Sequence, residues 1–283
     1  MINALCIDVE DWYHPELVRG RTGEAPASQV SEAVRPLLEL LDRHQTKASF
    51  FIVGELADQH PGLVRLIHQK GHEIGCHGFS HSPLWELNEA LFKKELEDFQ
   101  GVMGRVLGEV KVKGFRAPTF SLDERTQWAL KILIDFGYQY DASIFPVKLN
   151  RLYGVRGAPP RPYRISLENV RNEDPRSLLI EFPLPLLSLG RLRIPISGGF
   201  YLRVLPLPLL YWGLKRMNRI HPFLLYFHPW EGYPGTPRLK LPLYNRFISY
   251  YGIDSAMKKL RFILQHFKFS RIDDILGVGE QGT

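Results

Sequence analysis

Short apolar runs return along this chain at intervals filled by amphipathic helical patterns, and that alternation restricts the possible folds more than any other feature. Runs at 3–9 (NALCIDV), 47–53 (KASFFIV), 72–76 (HEIGC), 111–116 (KVKGFR), 138–142, 177–183 (SLLIEFP), 223–228 (FLLYFH) and 267–271 read as strands. Between the early runs, residues 31–43 set Val34, Leu37, Leu38 and Leu41 on one stripe, and 89–107 repeat Phe92, Leu96, Phe99, Met103 and Val106. Residues 61–70 open with Pro61 and stop at Gly71. Ser121 with Glu124 predicts a capping box opening a helix over 122–136, ended by Gly137. Strand and helix in succession imply parallel strands with helical crossovers, closed into a barrel or left as an open sheet. Residues 144–222 break the rhythm with proline, arginine and leucine (GAPPRPYR, FPLPLLSLG). They read as an insertion packed on a single domain spanning 1–283, because a regular strand ending at His228 follows. Residues 232–283 then form a C-terminal extension.

Composition narrows the function. The net charge of +6 comes from basic residues that are mostly dispersed. Neither a basic stripe nor a recognition motif is present, so no nucleic-acid partner is expected, and a mild attraction to anionic glycans or membranes fits better. Cys6 and Cys76 lie in apolar stretches and read as buried, reduced thiols. A core strand begins within a few residues of Met1, which leaves no room for a signal peptide and predicts a cytoplasmic location. The most apolar run, between Arg203 and Lys215, has 11 residues and two prolines, too few to span a bilayer. Its context, VLPLPLLYWGLKR, has the composition of a peripheral segment at a membrane surface, or of a lid packed on the scaffold.

The polar residues cluster at strand ends. Asp8, Glu10 and Asp11 close the first run, His77 and His81 follow the third, Arg116 ends the fourth, Asp141 the fifth and His228 the seventh. In a parallel α/β fold these ends share one face, where such folds assemble active sites. Two imidazoles four residues apart and a carboxylate can hold one divalent cation with open positions left over. A second carboxylate can act as general base towards water, and a histidine opposite it as general acid. Along an extended strand Asp8 and Glu10 point to one side and Asp11 to the other, unless the strand end kinks. The acidic ligand is therefore Glu10 or Asp11. Arg116 can orient a base carboxylate. Trp12, Pro118, Tyr201 and Trp230 are candidate sugar contacts.

Together IDVED, KASFFIVG, GHEIGCHGFSH, FRAPTFS and YFHPWE resemble the NodB-homology polysaccharide deacetylases, carbohydrate esterase family 4. The likeness covers about 1–145 and the segment around 228. It implies a distorted (β/α)7-type barrel and removal of N-acetyl groups from a hexosamine-containing glycan. It also implies Asp8 as catalytic base, His77 and His81 as metal ligands, Arg116 as partner of the base and His228 as acid. Zinc suits the ligand set, and cobalt, nickel or manganese could occupy it. Two positions depart from the family pattern. Adjacent aspartates are replaced by D-V-E-D, and GYQYDASIF lacks the tryptophan that usually accompanies the aspartate held to orient the acid, here Asp141. PISGGFYLRVLPL, HPWE and 243–272 resemble the exosortase-associated subgroup, linked to exopolysaccharide production. Competing readings are an amidohydrolase of small cyclic amides and a glycan-binding relative without turnover.

Overall fold

Strand β1 (Ile2–Val9) is the axis of the sheet, paired along both edges and buried along almost its whole length. The structure is a computed structural model that describes residues 1–22, 26–147, 154–190 and 192–278. Parts of the expected insertion and extension (148–153, 191 and 279–283) lie outside the described residues. Strands β2 (Ser49–Ile52), β3 (Glu73–Cys76), β4 (Gly114–Phe115), β5 (Tyr140–Asp141), β6 (Tyr163–Arg164) and β7 (Ile180–Glu181) extend the sheet on one side of β1. A separate hairpin joins β8 (Leu186–Leu189) to β9 (Leu192–Pro195). Strand β10 (Leu224–Phe227) flanks β1 on the other side. The order is β10-β1-β2-β3-β4-β5-β7-β6, parallel throughout except that β6 runs antiparallel to β7. Strand β11 (Lys268–Ser270) pairs with Ile2, Asn3 and Ala4, below the point where β2 takes up the register at Cys6. Eight parallel strands among the described residues, in a curled sheet, make the distorted (β/α)-barrel expected from the sequence.

Side-chain parity along β1 divides the interior. Leu5, Ile7 and Val9 face the helices, while Ala4 and Cys6 face the hollow of the barrel with Phe51, Tyr140 and Phe182. Both faces are apolar, as in sheets covered on two sides, and each fully buried Leu, Ile or Phe contributes roughly 2 kcal/mol. Burial pushes the thiols of Cys6 and Cys76 up to about 12, so both are inert.

The covering helices are α1 (Val30–Arg43), α2 (Gly54–Gln59), α3 (Pro61–Gln69), α4 (Glu89–Leu107) and α5 (Ala129–Asp135). The α1 stripe of Val34, Leu37, Leu38 and Leu41 is buried as its spacing predicts. Asn88 caps α4, its side chain accepting the Leu91 N–H at 2.9 Å. Helix α5 starts seven residues later than the expected 122. The Ser121 hydroxyl donates to the Pro118 carbonyl and accepts the Leu84 N–H instead of capping a helix, and the Thr126 hydroxyl closes a turn on the Ser121 carbonyl.

After the hairpin come α6 (Gly199–Val204) and α7 (Leu207–Met217), and β10 then returns the chain to β1. Helices α8 (Leu243–Tyr250), α9 (Ile253–His266) and α10 (Ile272–Leu276) complete the described chain. Among the described residues no helix is long and apolar enough to cross a membrane.

Candidate active site

The C-terminal ends of the parallel strands bring the polar residues together. Asp8 shares the parity of Ala4 and Cys6 and so points into the barrel, where it is buried. Arg116, directly after β4, donates from Nη1 to Asp8 Oδ1 at 2.6 Å and from Nε to the Ala142 carbonyl at 2.9 Å. Its guanidinium lies 4.3 Å above the Phe51 ring. That ring needs the absence of a side chain at Gly75, where a Cβ would stand 2.5 Å from it. The guanidinium leaves Asp8 one oxygen, Oδ2, directed at His228 Nε2 3.8 Å away. Such a pair is costly to break, because removing either partner strands a buried charge.

Glu10 Oε1 lies 3.1 Å from His77 Nε2 and 3.0 Å from His81 Nε2. Among the described residues these three form the group whose ligand atoms all lie within 4.8 Å of one another. The opposite nitrogen of His77, Nδ1, is 2.8 Å from the Arg116 carbonyl. A carbonyl only accepts, so Nδ1 carries a proton, and in that tautomer Nε2 is the nitrogen left to offer a lone pair, facing a carboxylate oxygen. Two acceptors facing each other need a cation or proton between them. Burial lowers the pKa of His81, favouring its neutral ring. Burial alone would raise the Glu10 carboxyl, but the His228, His81 and His77 rings hold it well below the usual range. Ligand atoms on one tetrahedral zinc stand about 3.3 Å apart. The donor set and its spacing fit a divalent cation. His81 takes a left-handed φ of 58°, a conformation seldom held by residues other than glycine.

Asp11 is turned elsewhere. Its oxygens accept the Trp12 N–H at 2.8 Å and the Gln29 N–H at 2.9 Å, fastening the end of β1 to the start of α1. Of the two acidic candidates, Glu10 is the one that reaches the imidazoles.

His228 follows β10. Its Nδ1 is 2.8 Å from Glu231 Oε2, and its Nε2 faces Asp8 and Glu10. Burial works against its charge, but Glu10, Glu231 and Asp8 outweigh this and raise its pKa to about 9. Trp230 stacks on the ring, 5.5 Å between centroids at 22°. Glu231 is held in turn by Arg203, with Nε 2.9 Å from Oε1. The expectation that Asp141 orients His228 is corrected here, since the Nδ1 position is taken by Glu231. Asp141 instead accepts from the Ser143 hydroxyl at 2.6 Å and lies opposite Glu181 in the β5–β7 register. Burial raises the pKa of both carboxyls. Glu181 Oε2 finds no protein donor, as expected where two carboxyls share one proton.

A cavity of about 360 Å³ opens over these groups. Its walls include Phe120, Phe200, Tyr226, Trp230 and Tyr244. Trp230 is the expected sugar contact that lines it. Trp12 donates its indole N–H to the Ala27 carbonyl, Pro118 packs beside Gly78, and Tyr201 meets the edge of Phe200, so these three stand outside the lining.

Three neighbours carried little sequence signal. His14 accepts the Asp11 N–H at 2.8 Å and sets its ring edge-on to His81 at 5.0 Å, with burial lowering its pKa to about 3. Its only mark in the sequence is its place just after the acidic cluster. Glu231 sits three residues after His228, a capping-box spacing, and Arg203 follows the Gly198-Gly199 pair.

Residues 24–140 match the Polysaccharide deacetylase family, and residues 142–277 match a domain of unknown function, DUF3473. A Bacillus cereus peptidoglycan-N-acetylglucosamine deacetylase is 33% identical over 94 residues, which is 33% of this chain and 34% of that protein. The match thus spans about a third of that relative's length. Among solved structures, a Mycobacterium smegmatis protein assigned as a polysaccharide deacetylase superposes with a TM-score of 0.62 at 19% identity, covering 98% of this chain and 89% of that one. PuuE allantoinase superposes with a TM-score of 0.61 at 15% identity, covering 100% and 92%. Both structural likenesses concern the fold.

Proposed function

We propose, with the polysaccharide deacetylase family supported by the match over 24–140 and by the relatives, that this protein hydrolyses the N-acetyl amide of a hexosamine-containing glycan. One observation carries the reading: Asp8 Oδ2 and His228 Nε2 face each other beside the Glu10–His77–His81 group, at the floor of an open cavity. Glu10, His77 and His81 would hold a divalent cation, zinc first among those the ligands suit. When bound, that cation supplies Lewis acidity, polarising the acyl oxygen and acidifying water.

The chain's own residues do the rest. Arg116 fixes Asp8 Oδ1, so the free Oδ2 takes the proton of the attacking water. His228 Nε2 delivers a proton to the departing nitrogen as the C–N bond breaks, giving acetate and a free amine. Phe120, Phe200, Tyr226 and Trp230 limit water around the reacting amide.

Finer elements belong to the same reading. The glycan would serve exopolysaccharide or cell-envelope assembly, as in the exosortase-associated subgroup. It would be met in the cytoplasm, free or lipid-linked. Leu209 and Trp212 are exposed on α7, with Lys215 and Arg216 in its last turn, the pattern of a helix that rests on an anionic membrane. Flotation with anionic and neutral vesicles tests this, and a protein that floats with neither is not a membrane visitor.

The decisive assay is acetate release from N-acetylglucosamine oligomers and from N-acetylated exopolysaccharide by metal-reconstituted protein. Turnover of allantoin without acetate release would move the assignment to cyclic amides. Tight binding of oligomers with no product would make this a glycan-binding relative.

A further inference from the structure

The segment beyond residue 142 contributes more than a wall of the cavity. Glu231 is buried, and both of its oxygens receive donors from opposite directions. Oε2 takes the His228 ring at Nδ1 (2.8 Å) and the His228 backbone N–H (3.2 Å), while Oε1 takes Arg203 Nε (2.9 Å). Arg203 is equally buried, and its remaining nitrogens donate to the carbonyls of Tyr251 (2.5 Å) and Ile248 (2.7 Å) at the end of α8. The His228 ring is therefore tied, through two buried charged groups, to the helix whose Tyr244, Ile248 and Ser249 line the cavity.

The sequence makes room for this chain of contacts. A Cβ at Gly199 would stand 1.5 Å from Glu231 Oε2, and one at Gly198 would stand 2.2 Å from the Tyr226 ring. No side chain fits at 199 with the carboxylate in place. The S-G-G sequence at 197–199 thus has a steric reason that helix α6 alone does not supply.

We infer that Glu231, held by Arg203, is the positioning residue for His228: it fixes the Nδ1–H and aims Nε2 at the leaving nitrogen. This rests on the reading of His228 as the acid in amide hydrolysis, and it replaces Asp141 in that role. Only a carboxylate can do this. Glutamine must point its amide N–H₂ at a donor, either Arg203 Nε or the His228 main chain and ring, so one of the two contacts is lost.

The effect is specific to the leaving group. An amine must be protonated to depart, whereas p-nitrophenolate leaves unaided. Glu231→Gln should lower kcat for acetate release from N-acetylglucosamine oligomers about 30-fold with KM little changed, the loss typical of a residue that orients another. Its hydrolysis of p-nitrophenyl acetate should stay within about threefold of the unaltered protein. Bound metal should be undiminished. Should that variant prove unstable, the Glu231→Gln/Arg203→Met double variant removes both buried charges together and strands neither, and it should show the same split between amide and ester. The proton spectrum gives a readout independent of turnover. The unaltered protein should show a downfield imidazole N–H resonance, assigned to His228 by its loss in His228→Asn, and Glu231→Gln should shift or abolish it. Equal loss on amide and ester, equal retention of both, or absence of the resonance from the unaltered protein would each overturn the inference. If the resonance is present and shifts as expected while no substrate releases acetate, the contact stands and the proposed function falls.

Discussion

The two walls of the cavity meet across Asp8 and His228 but are held in place by different means. On the base wall, Asp8, Glu10, His77 and Arg116 project from the ends of adjacent parallel strands, so the backbone ladder places them, and one ion pair finishes the job. On the acid wall, one imidazole depends on Glu231, then Arg203, then two carbonyls at the end of α8, a relay of side chains drawn from separate elements. A wall built on the sheet should tolerate change around it and fail when its own functional groups are altered. A wall built on a relay should be adjustable from a distance.

Substitutions on the base wall should break the comparison hardest. Asp8→Asn keeps the shape and the contact with Arg116 but removes the proton acceptor. Acetate release should fall about 10⁴-fold while metal content measured by elemental analysis is unchanged. Undiminished turnover would remove the base assignment. His77→Ala and Glu10→Gln should each lose the metal itself and about 10³-fold in activity, because the Lewis acid goes with its ligand. His228→Ala should cost less, about 100-fold on amides, with metal retained. Were His228→Ala to match Asp8→Asn, the acid wall would be as demanding as the base wall and the contrast would vanish.

Asp11→Asn sharpens the comparison within the base wall. Asp11 accepts two backbone N–H groups and does not touch the imidazoles, so the variant should keep its metal and lose about 1 kcal/mol of stability, read as a lowered Tm. Metal loss in Asp11→Asn with retention in Glu10→Gln would exchange the two roles.

The same contrast accounts for what could be read in advance. Each run expected as a strand contains one, most legibly where burial on both faces leaves a nearly continuous apolar run, as in β1, β2 and β10. Period-two parity along β1 sets Asp8 and Glu10 on one side and Asp11 on the other, but the choice of acidic ligand depends on how the strand end bends, which only the folded chain shows. The short strands β6, β8 and β9 went unread, being two to four residues long in a proline-rich stretch where no periodicity can develop. The relay was illegible for a different reason. Glu231 and Arg203 are 28 residues apart and meet only through tertiary packing, and a glycine pair shows nothing of the carboxylate it leaves room for. Asp141 as the orienting acid was an implication of the family resemblance, and its place at a strand end spoke only for the face it occupies. The local rule placed it on the correct face, while the Ser143 hydroxyl and Glu181 decide where its oxygens go.

The smallest expected effect concerns that last pair. Asp141 and Glu181 are both buried, and burial raises both carboxyls, so the folded protein keeps a proton there to higher pH than the unfolded chain does. A carboxyl raised on folding contributes stability that is fully present below its unfolded pKa and is lost as pH climbs through the folded value. Stability should therefore decline on the alkaline side of the ordinary glutamate range, beyond what surface groups explain. Glu181→Gln supplies a permanent donor to Asp141 and should flatten that decline, with a gain of about 1 kcal/mol at alkaline pH, one satisfied hydrogen bond. Thermal melts across pH measure it. Because neither carboxyl touches His228, the ratio of amide to ester hydrolysis should not move in this variant. A change in that ratio would return Asp141 to the acid wall, and the two walls would then share a support beneath the sheet.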